Sequence, residues 1–123
     1  MKDLARDAAS ASDSTQFTCE VVPERDAVRV RPHGALDMAT ASTLEAEITQ
    51  LRDAGFRRLL VDLSALDFLD SSGLRLLLSL HAEASNDGFA LGLLRGSPTV
   101  QRVFEITGTA EILPFTEPRA GSV

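Results

Sequence analysis

The sequence predicts a single α/β domain in which a mixed sheet of four to five strands packs with three to four helices. Strand-like and helix-like segments alternate along the chain with short connections, an order typical of a sheet whose later strands run parallel. Two apolar runs, Leu59–Leu63 and Phe89–Leu94, lack the polar alternation of an exposed strand. We therefore expect both runs to be strands that are buried on their two faces.

The domain is expected to begin with an antiparallel hairpin. Phe17–Val22 and Val28–Arg31 alternate apolar and polar residues, and the turn-forming residues Pro23–Asp26 lie between them. Pro32–Gly34 should interrupt the second strand, which would leave His33 in a solvated loop.

An amphipathic helix should follow this hairpin. Asp37 or Thr40 is suited to cap its start, and we expect the helix to run to about Ala54 and to close at Gly55. Its apolar residues recur at helical spacing, as expected for a stripe that lies on a sheet. They are Ala41, Leu44, Ile48 and Leu51.

The central stretch, Arg58–Gly88, combines a buried strand, a turn and a leucine-rich helix. The strand Leu59–Leu63 should feed the helix through a turn with its apex at Asp70–Ser72. Side-chain oxygens at such an apex can accept hydrogen bonds from the free N–H groups of the first helical turn. The helix should end at Asn86–Gly88.

The apolar residues of this helix cover an arc of roughly 200°, about twice what packing on one sheet requires. They are Leu74, Leu76, Leu77, Leu78, Leu80 and Ala84. Two arrangements fit this arc: the helix is wedged between two core elements, or one of its flanks is offered to a partner protein. His81 falls within the arc without a second metal ligand at suitable spacing, so we expect an ordinary helix residue.

The carboxyl-terminal part should add a strand, a helix and a last strand. Phe89–Leu94 is the strand, Ser97 and Pro98 are strong helix-start residues, and Gly108 should end that helix. Ile112–Phe115 should form a short strand at a sheet edge, where its proline is tolerated.

Composition and charge exclude several classes of function. The chain has 123 residues and a net charge of -6, which argues against a nucleic-acid surface because phosphate contacts need clustered Lys and Arg. Its single cysteine, Cys19, fits a reducing compartment and should be an inert buried thiol. No stretch reaches the ~20 apolar residues that span a bilayer, and no secretory signal is evident. We therefore expect a cytoplasmic protein without membrane insertion.

The domain itself is expected at residues 15–116. Residues 1–14 are polar and offer little to bury, so they should form a disordered tail. Residues 117–123 should form a second, short tail.

Most catalytic motifs are absent from the sequence. It contains no Gly-rich phosphate loop and no nucleophile elbow, and its two histidines give few ways to build a serine–histidine–aspartate triad. Asp62, Asp67 and Asp70 lie close together in sequence at one strand end. They could bind a divalent cation or act as a carboxylate pair, but carboxylates at such positions more often cap turns and helix starts.

Ser71 and Ser72 permit two interpretations. Small polar residues at this position can serve only to cap the helix. Alternatively, a serine exposed in the first helical turn is accessible to a kinase, and the free N–H groups and the helix dipole there favour an anion. A phosphate adds about -1.5 to -2 charges at neutral pH, which would oppose docking of a partner at this site without unfolding the domain.

Three segments together resemble the STAS domain of bacterial anti-sigma factor antagonists. They are Val61–Leu74 with its Asp-Ser-Ser-Gly-Leu stretch, Gly34–Asp37, and Ser97–Phe104 with Gly108 downstream. The resemblance covers roughly Phe17–Phe115. It implies a mixed sheet with helices, no catalytic activity, no cofactor and a role in partner switching.

The resemblance also implies the partners. In that family the unmodified protein binds an anti-sigma factor that is also a serine kinase, which frees the sigma factor. The kinase uses ATP to phosphorylate the serine directly after the Asp, and a metal-dependent phosphatase of the PP2C type reverses this. Carried onto this chain, the acceptor of the phosphate is Ser71. We also expect the protein to be monomeric. The expected partner-binding residues are Asp37, Asp70, Ser72, Gly73 and Leu76.

The resemblance leaves one alternative function and shows one departure. The domain could instead be a non-switching scaffold or regulatory subunit of a stressosome-like or membrane transport complex, with Ser71 only a cap. Family members often carry a further amphipathic helix at the carboxyl end. Residues 116–123 contain Pro118 and Gly121 and little apolar content, so we expect that helix to be missing or truncated.

Overall fold

The structure, a computed structural model, describes residues 17–117. Within this range the chain forms five strands and three helices. The strands are β1 (Thr18–Pro23), β2 (Val28–Leu36), β3 (Arg58–Asp62), β4 (Leu66–Leu69) and β5 (Ala90–Leu94), and the helices are α1 (Met38–Asp53), α2 (Ser71–Asp87) and α3 (Pro98–Thr107). Short 3₁₀ helices follow β3 at Leu63–Ala65 and α3 at Thr109–Glu111.

Several predictions concern residues beyond this range. The tail at 1–14, the start of the domain at residue 15 and all but the first residue of the tail at 117–123 lie outside the described residues. The prediction that a carboxyl-terminal helix is missing or truncated also concerns residues that lie almost entirely outside this range. Among the helices of residues 17–117, none combines the length and the apolar character needed to cross a lipid bilayer.

The sheet is mixed, with the strand order β1-β2-β3-β5 and with β4 beside the end of β2. β1 pairs antiparallel with β2, as the predicted hairpin requires, whereas β2 with β3 and β3 with β5 are parallel. β4 adds a parallel pairing to the carboxyl-terminal part of β2. Each helix therefore begins beyond the carboxyl end of a strand, and the predicted mixed α/β fold is confirmed.

The hydrophobic core is built from alternate residues of the strands and from the apolar stripes of all three helices. Its almost fully buried members include Val28, Val30, Leu59, Val61 and Leu93 from the strands and Leu44, Ile48, Leu77, Leu80, Val100 and Phe104 from the helices. Full burial of one such side chain contributes about 1.5–3 kcal/mol relative to exposure. This cluster is therefore the main source of the stability of the fold.

Local capping determines where the helices begin and end. Asp37 caps α1: its Oδ1 accepts from the Thr40 N–H at 3.1 Å, and the Thr40 hydroxyl accepts from the Asp37 N–H at 2.9 Å. Ser97 caps α3, Pro98 is its first residue, and Gly108 ends it in the left-handed conformation with a φ of 77°. These helix boundaries are as predicted, because each depends on neighbours within one turn.

β2 is longer than predicted. It runs through Pro32–Gly34, so His33 lies in a strand and not in a loop, with its Nε2 3.0 Å from Glu20 Oε1 on β1. Pro32 falls between the parts of β2 that pair with β3 and with β4, where the parallel ladder is already interrupted. Gly34, with a φ of 103°, lies at the shift in register where β4 takes over.

The prediction of a last strand at Ile112–Phe115 is wrong. The chain forms only a single parallel bridge there, between Leu93 and Phe115. The Leu93 N–H donates to the Pro114 carbonyl at 3.0 Å, and the Thr116 N–H donates to the Leu93 carbonyl at 2.8 Å. Pro114 has no N–H with which to extend the ladder, so pairing stops at one residue.

Cys19 in β1 is half-buried, where the sequence suggested full burial. Burial raises the pKa of its thiol to about 11, with a smaller contribution from the charge of Glu47. The thiol therefore stays protonated at neutral pH, which makes it a poor nucleophile.

Asp62, at the carboxyl end of β3, is 3% exposed. Its Oδ2 accepts from Arg31 Nε at 3.0 Å, and its Oδ1 accepts from the Ser64 N–H at 3.0 Å. Burial on its own would raise the pKa of this carboxyl, but the hydrogen bonds from Ser64 and Arg31 outweigh it and hold the pKa below its ordinary value. The carboxylate thus ties β2 to β3 and to the 3₁₀ helix that follows.

We expect Asp62→Asn to lower the free energy of unfolding at neutral pH by roughly 1.5–3 kcal/mol, because it removes a hydrogen bond between charged groups from a buried position. The folded-state pKa of Asp62 lies below the unfolded one. Its contribution is therefore fully present above the unfolded pKa of about 3.9 and is lost as the pH falls through the folded value. Urea unfolding at a series of pH values should show the two proteins converging in acid.

Asp67→Asn is the matched control, because Asp67 is an exposed carboxylate on β4, the next strand along the chain. It should leave the stability and its pH dependence nearly unchanged. Parallel pH profiles for Asp62→Asn and the unchanged chain would contradict the role given to Asp62.

Candidate functional site

Ser71 is the first residue of α2 and is exposed, whereas Ser72 is half-buried. The helix begins directly after Asp70, as predicted. The segment before it differs from the prediction, because a 3₁₀ helix and β4 separate β3 from α2 where we expected a single turn. Through its pairing with β2, β4 brings Ser71 to the carboxyl end of that strand.

Asp70 caps α2. Its Oδ1 accepts from the N–H groups of Ser72 at 2.9 Å and of Gly73 at 3.2 Å. Two of the amides that we expected to favour an anion at this turn, those of Ser72 and Gly73, are therefore already occupied by Asp70. The partial positive charge of the helix start remains and still favours an anion nearby.

The backbone of Leu36 fixes the position of this junction. Leu36 pairs with Leu69 in the parallel ladder, and its carbonyl accepts from the Asp70 N–H at 3.2 Å. The residues that follow this pair are Asp37 and Asp70, the caps of α1 and α2. The starts of the two helices, each with a carboxylate, therefore lie side by side at the carboxyl ends of β2 and β4.

Gly73 lies where α2 approaches β2 and β4 closely. A Cβ atom on this residue would be 2.8 Å from the Leu36 carbonyl oxygen and 2.8 Å from Leu69 Cδ1. These distances are overlaps, and the carbonyl belongs to a paired strand that cannot easily move away. Gly73 is itself buried, so its part in the site is to admit the helix rather than to contact a partner.

Four of the five leucines of α2 are buried in the core of the domain, and Leu78 is half-buried. Leu77 and Leu80 are almost fully buried, and Leu74 and Leu76 are each 8% exposed. Of the two arrangements that the apolar arc allowed, the structure has the helix wedged between core elements. Leu76, which we expected on the partner-binding surface, packs in the core instead.

Two exposed apolar side chains near the junction were not predicted as site residues. Met38, the first residue of α1, is 78% exposed, and Phe68 in β4 is 49% exposed. Successive side chains of a strand point to opposite faces of the sheet, and Phe68 directly precedes the buried Leu69. A sequence-based prediction of β4 would therefore have placed the Phe68 ring on the face opposite to Leu69. We use the term junction surface for five exposed or half-buried residues at the two helix starts or just before them in the chain. They are Asp37, Met38, Phe68, Asp70 and Ser71.

The acidic residues near the junction have separate roles. Asp62 is bonded to Arg31, Asp70 caps α2, and Asp67 is exposed on β4. Within residues 17–117, no three His, Cys, Asp or Glu side chains are grouped so that they could hold a metal ion. His81 is half-buried on α2, consistent with an ordinary helix residue.

Sequence comparison relates the chain to regulatory proteins. The STAS domain profile matches residues 19–120. BtrV of Bordetella bronchiseptica, provisionally named an anti-sigma factor antagonist, is 37% identical over 86 residues, which cover 70% of this chain and 74% of BtrV. The anti-sigma-B factor antagonist of Staphylococcus aureus is 32% identical over 88 residues, which cover 72% of this chain and 82% of that protein.

Solved structures of such proteins share the fold. An anti-sigma factor antagonist from Mycobacterium paratuberculosis has a TM-score of 0.76 at 26% identity and covers 90% of this chain and 94% of its own. SpoIIAA in its unphosphorylated form has a TM-score of 0.67 at 27% identity, with 87% and 91% covered. The phosphorylated form of the Bacillus cell fate determinant SpoIIAA gives 0.63 at 26% identity, with 87% and 95% covered.

We expect Gly73→Ala to lower the free energy of unfolding by about 1–2 kcal/mol. Overpacking against Leu36 and Leu69 costs about 1–3 kcal/mol, and the better helix propensity of Ala returns up to about 1 kcal/mol of this. Urea unfolding measures the change.

Ser79→Ala is the control for helix propensity alone, because Ser79 is exposed on the same helix. It should leave the stability unchanged or slightly higher. If Gly73→Ala behaved like this control, the close approach of α2 to β2 would not constrain the site.

Proposed function

The chain belongs to the STAS domain family, and on that premise we propose that it acts as an anti-sigma factor antagonist whose partner is set by the phosphorylation state of Ser71. In the unmodified state the junction surface binds an anti-sigma factor that is also a serine kinase, and the sigma factor is released. Phosphorylation of Ser71 ends this binding, and a metal-dependent phosphatase of the PP2C type restores it.

One observation carries the proposal: an exposed serine stands at a rigidly held helix start. Ser71 is exposed, while Asp70 and Gly73 on either side of it are fixed by the Leu36 backbone and by close packing. A kinase can therefore reach the hydroxyl without local unfolding. That SpoIIAA has been solved in unphosphorylated and phosphorylated forms supports the same modification here.

The chain supplies only the acceptor hydroxyl for this chemistry. Ser71 Oγ attacks the γ-phosphorus of ATP, so that an Oγ–P bond forms while the bond from that phosphorus to the β–γ bridging oxygen breaks. ADP leaves, and the hydroxyl proton passes to a base of the kinase. The phosphatase catalyses a separate hydrolysis: water attacks the phosphorus, the Oγ–P bond breaks, Ser71 Oγ takes up a proton and inorganic phosphate leaves. We propose no catalytic activity for the chain itself, in keeping with relatives that are named regulators.

The added phosphate acts through charge on a surface that is already acidic. It brings about -1.5 to -2 charges next to the Asp37 and Asp70 carboxylates, in a chain whose net charge is -6. A partner that covers Met38 and Phe68 would have to desolvate this anion and hold it against apolar groups. Binding is lost by repulsion and desolvation, while the core under α2 is unchanged.

We expect a serine kinase of the anti-sigma factor class, supplied with ATP, to add a single phosphate at Ser71. Intact-mass measurement and peptide mapping should find none in Ser71→Ala and one in Ser72→Ala, since Ser72 is half-buried. The phosphorylated chain should bind the kinase at least about tenfold more weakly by calorimetry.

Phosphate uptake by Ser71→Ala equal to that of the unchanged chain would contradict the assignment of the acceptor. Failure of any such kinase to modify the chain would instead favour a permanently docked scaffold in a stressosome-like or transport complex, with Ser71 only a cap.

We further expect Phe68→Ala to weaken binding of the unmodified chain to the anti-sigma factor about tenfold, because exposed aromatic residues are frequent anchors of protein interfaces. Its effect on stability should be small, since Phe68 is 49% exposed. Ile112→Ala is the control: Ile112 is 56% exposed and precedes the segment bridged to β5 at the other edge of the sheet. Equal binding by the two variants would place the interface elsewhere.

A further inference from the structure

Arg75 lies one helical turn beyond Ser71 and is exposed. Four residues of an α-helix correspond to about 400°, so the two side chains point in directions about 40° apart. Both belong to an exposed strip of α2 that also includes Ser79 and Ala82. An anion on Ser71 would therefore lie within reach of the Arg75 guanidinium.

No acidic residue of α2 stands where it could pair with Arg75. Side chains three and four residues apart meet on a helix surface, and the residues at these positions are Ser71, Ser72, Leu78 and Ser79. Among residues 17–117, no carboxylate lies within ion-pair distance of Arg75. Asp70 is engaged with the amides of the first turn. Hydroxyl groups thus occupy the two positions, one turn before Arg75, at which a carboxylate would neutralise it.

We propose that a phosphate on Ser71 forms an ion pair with Arg75 within α2. The proposal rests on the proposed function for the presence of the phosphate. Phosphate oxygens can accept two parallel hydrogen bonds from a guanidinium group, and an anion that precedes a cation by four residues has the favourable order along a helix. Ser72 has a similar spacing, but it is half-buried, so the exposed Ser71 is the residue that fits.

The ion pair gives Arg75 a different role in each state. In the unmodified chain its guanidinium is exposed beside the junction surface. In the phosphorylated chain the same group neutralises part of the new charge. The guanidinium thus supplies hydrogen bonds to the phosphate in place of the two amides, which already donate to Asp70. The start of α2 therefore tolerates the phosphate even though its capping positions are taken.

Phosphorus NMR of the phosphorylated protein tests the ion pair directly. Phosphoserine is incorporated at position 71 during synthesis of the full chain, so that no kinase is needed. The phosphorus resonance of this residue is followed as the pH is varied through the second phosphate pKa of about 6. A neighbouring guanidinium favours the dianion. We expect a phosphate pKa about 0.2–0.4 unit lower with Arg75 present than in Arg75→Gln, and a smaller difference in about 1 M salt because the pair is exposed.

A charge-matched control combines Arg75→Ser with Ser79→Arg. It keeps the net charge but moves the guanidinium a second turn away from Ser71, so its phosphate pKa should match that of Arg75→Gln. Equal pKa values with Arg75 and in Arg75→Gln overturn the proposal. A control pKa as low as that with Arg75 also overturns it, because net charge then explains the shift.

Failure of the proposed function gives a separate result. In that case the chain with phosphoserine at position 71 still binds the anti-sigma factor kinase as tightly as the unmodified chain, whatever its phosphate pKa. The NMR titration and the binding measurement therefore test the ion pair and the switch independently.

Discussion

The contact on which the site depends is the close approach of α2 to the end of β2. The Asp70 N–H donates to the Leu36 carbonyl, and Gly73 leaves room for the same carbonyl oxygen because it has no Cβ. A hydrogen bond and a steric requirement thus act on one backbone atom. They fix the first turn of α2 against the end of β2, which is itself paired with β4. The position of Ser71 follows from this contact and needs no partner to order it.

The same packing favours charge, rather than a movement of the helix, as the means by which the proposed switch would act. Four of the five leucines of α2 are buried by the domain's own core, and turning the helix to expose them would cost several kilocalories per mole. What remains outside is small: a pair of carboxylates, one serine and two exposed apolar side chains. A surface of this size is sensitive to a single added anion. We therefore expect a switch that leaves the backbone nearly unchanged.

Sequence reasoning succeeded where structure is determined within a few residues. It placed the start of each helix and named Ser97 as a cap, and it left the other two caps open between Asp37 and Thr40 and among Asp70–Ser72; the structure shows Asp37 and Asp70 in these roles. It failed where distant segments decide the outcome. β4 has only four residues and exists because β2 extends past Pro32 to meet it, and neither event has a local signal. The missed strand also concealed Phe68, and the burial of Leu76 depends on elements far away in sequence.

The two ends of α2 differ in how their charged side chains are neutralised. Glu83 and Asp87 lie toward the carboxyl end of the helix, where negative charge opposes the dipole. Arg52 of α1 offsets them, with distances of 3.1 and 2.9 Å, and its guanidinium also lies 4.1 Å from the Phe89 ring centre. These charges are encoded in the sequence, so this link between the helices is permanent. At the other end the cation is Arg75 and the positions that could neutralise it are serines, so in the proposed switch this charge is neutralised only when Ser71 is phosphorylated. The Arg52 pairs do not depend on modification, whereas the proposed pair between Arg75 and Ser71 forms only in the phosphorylated chain.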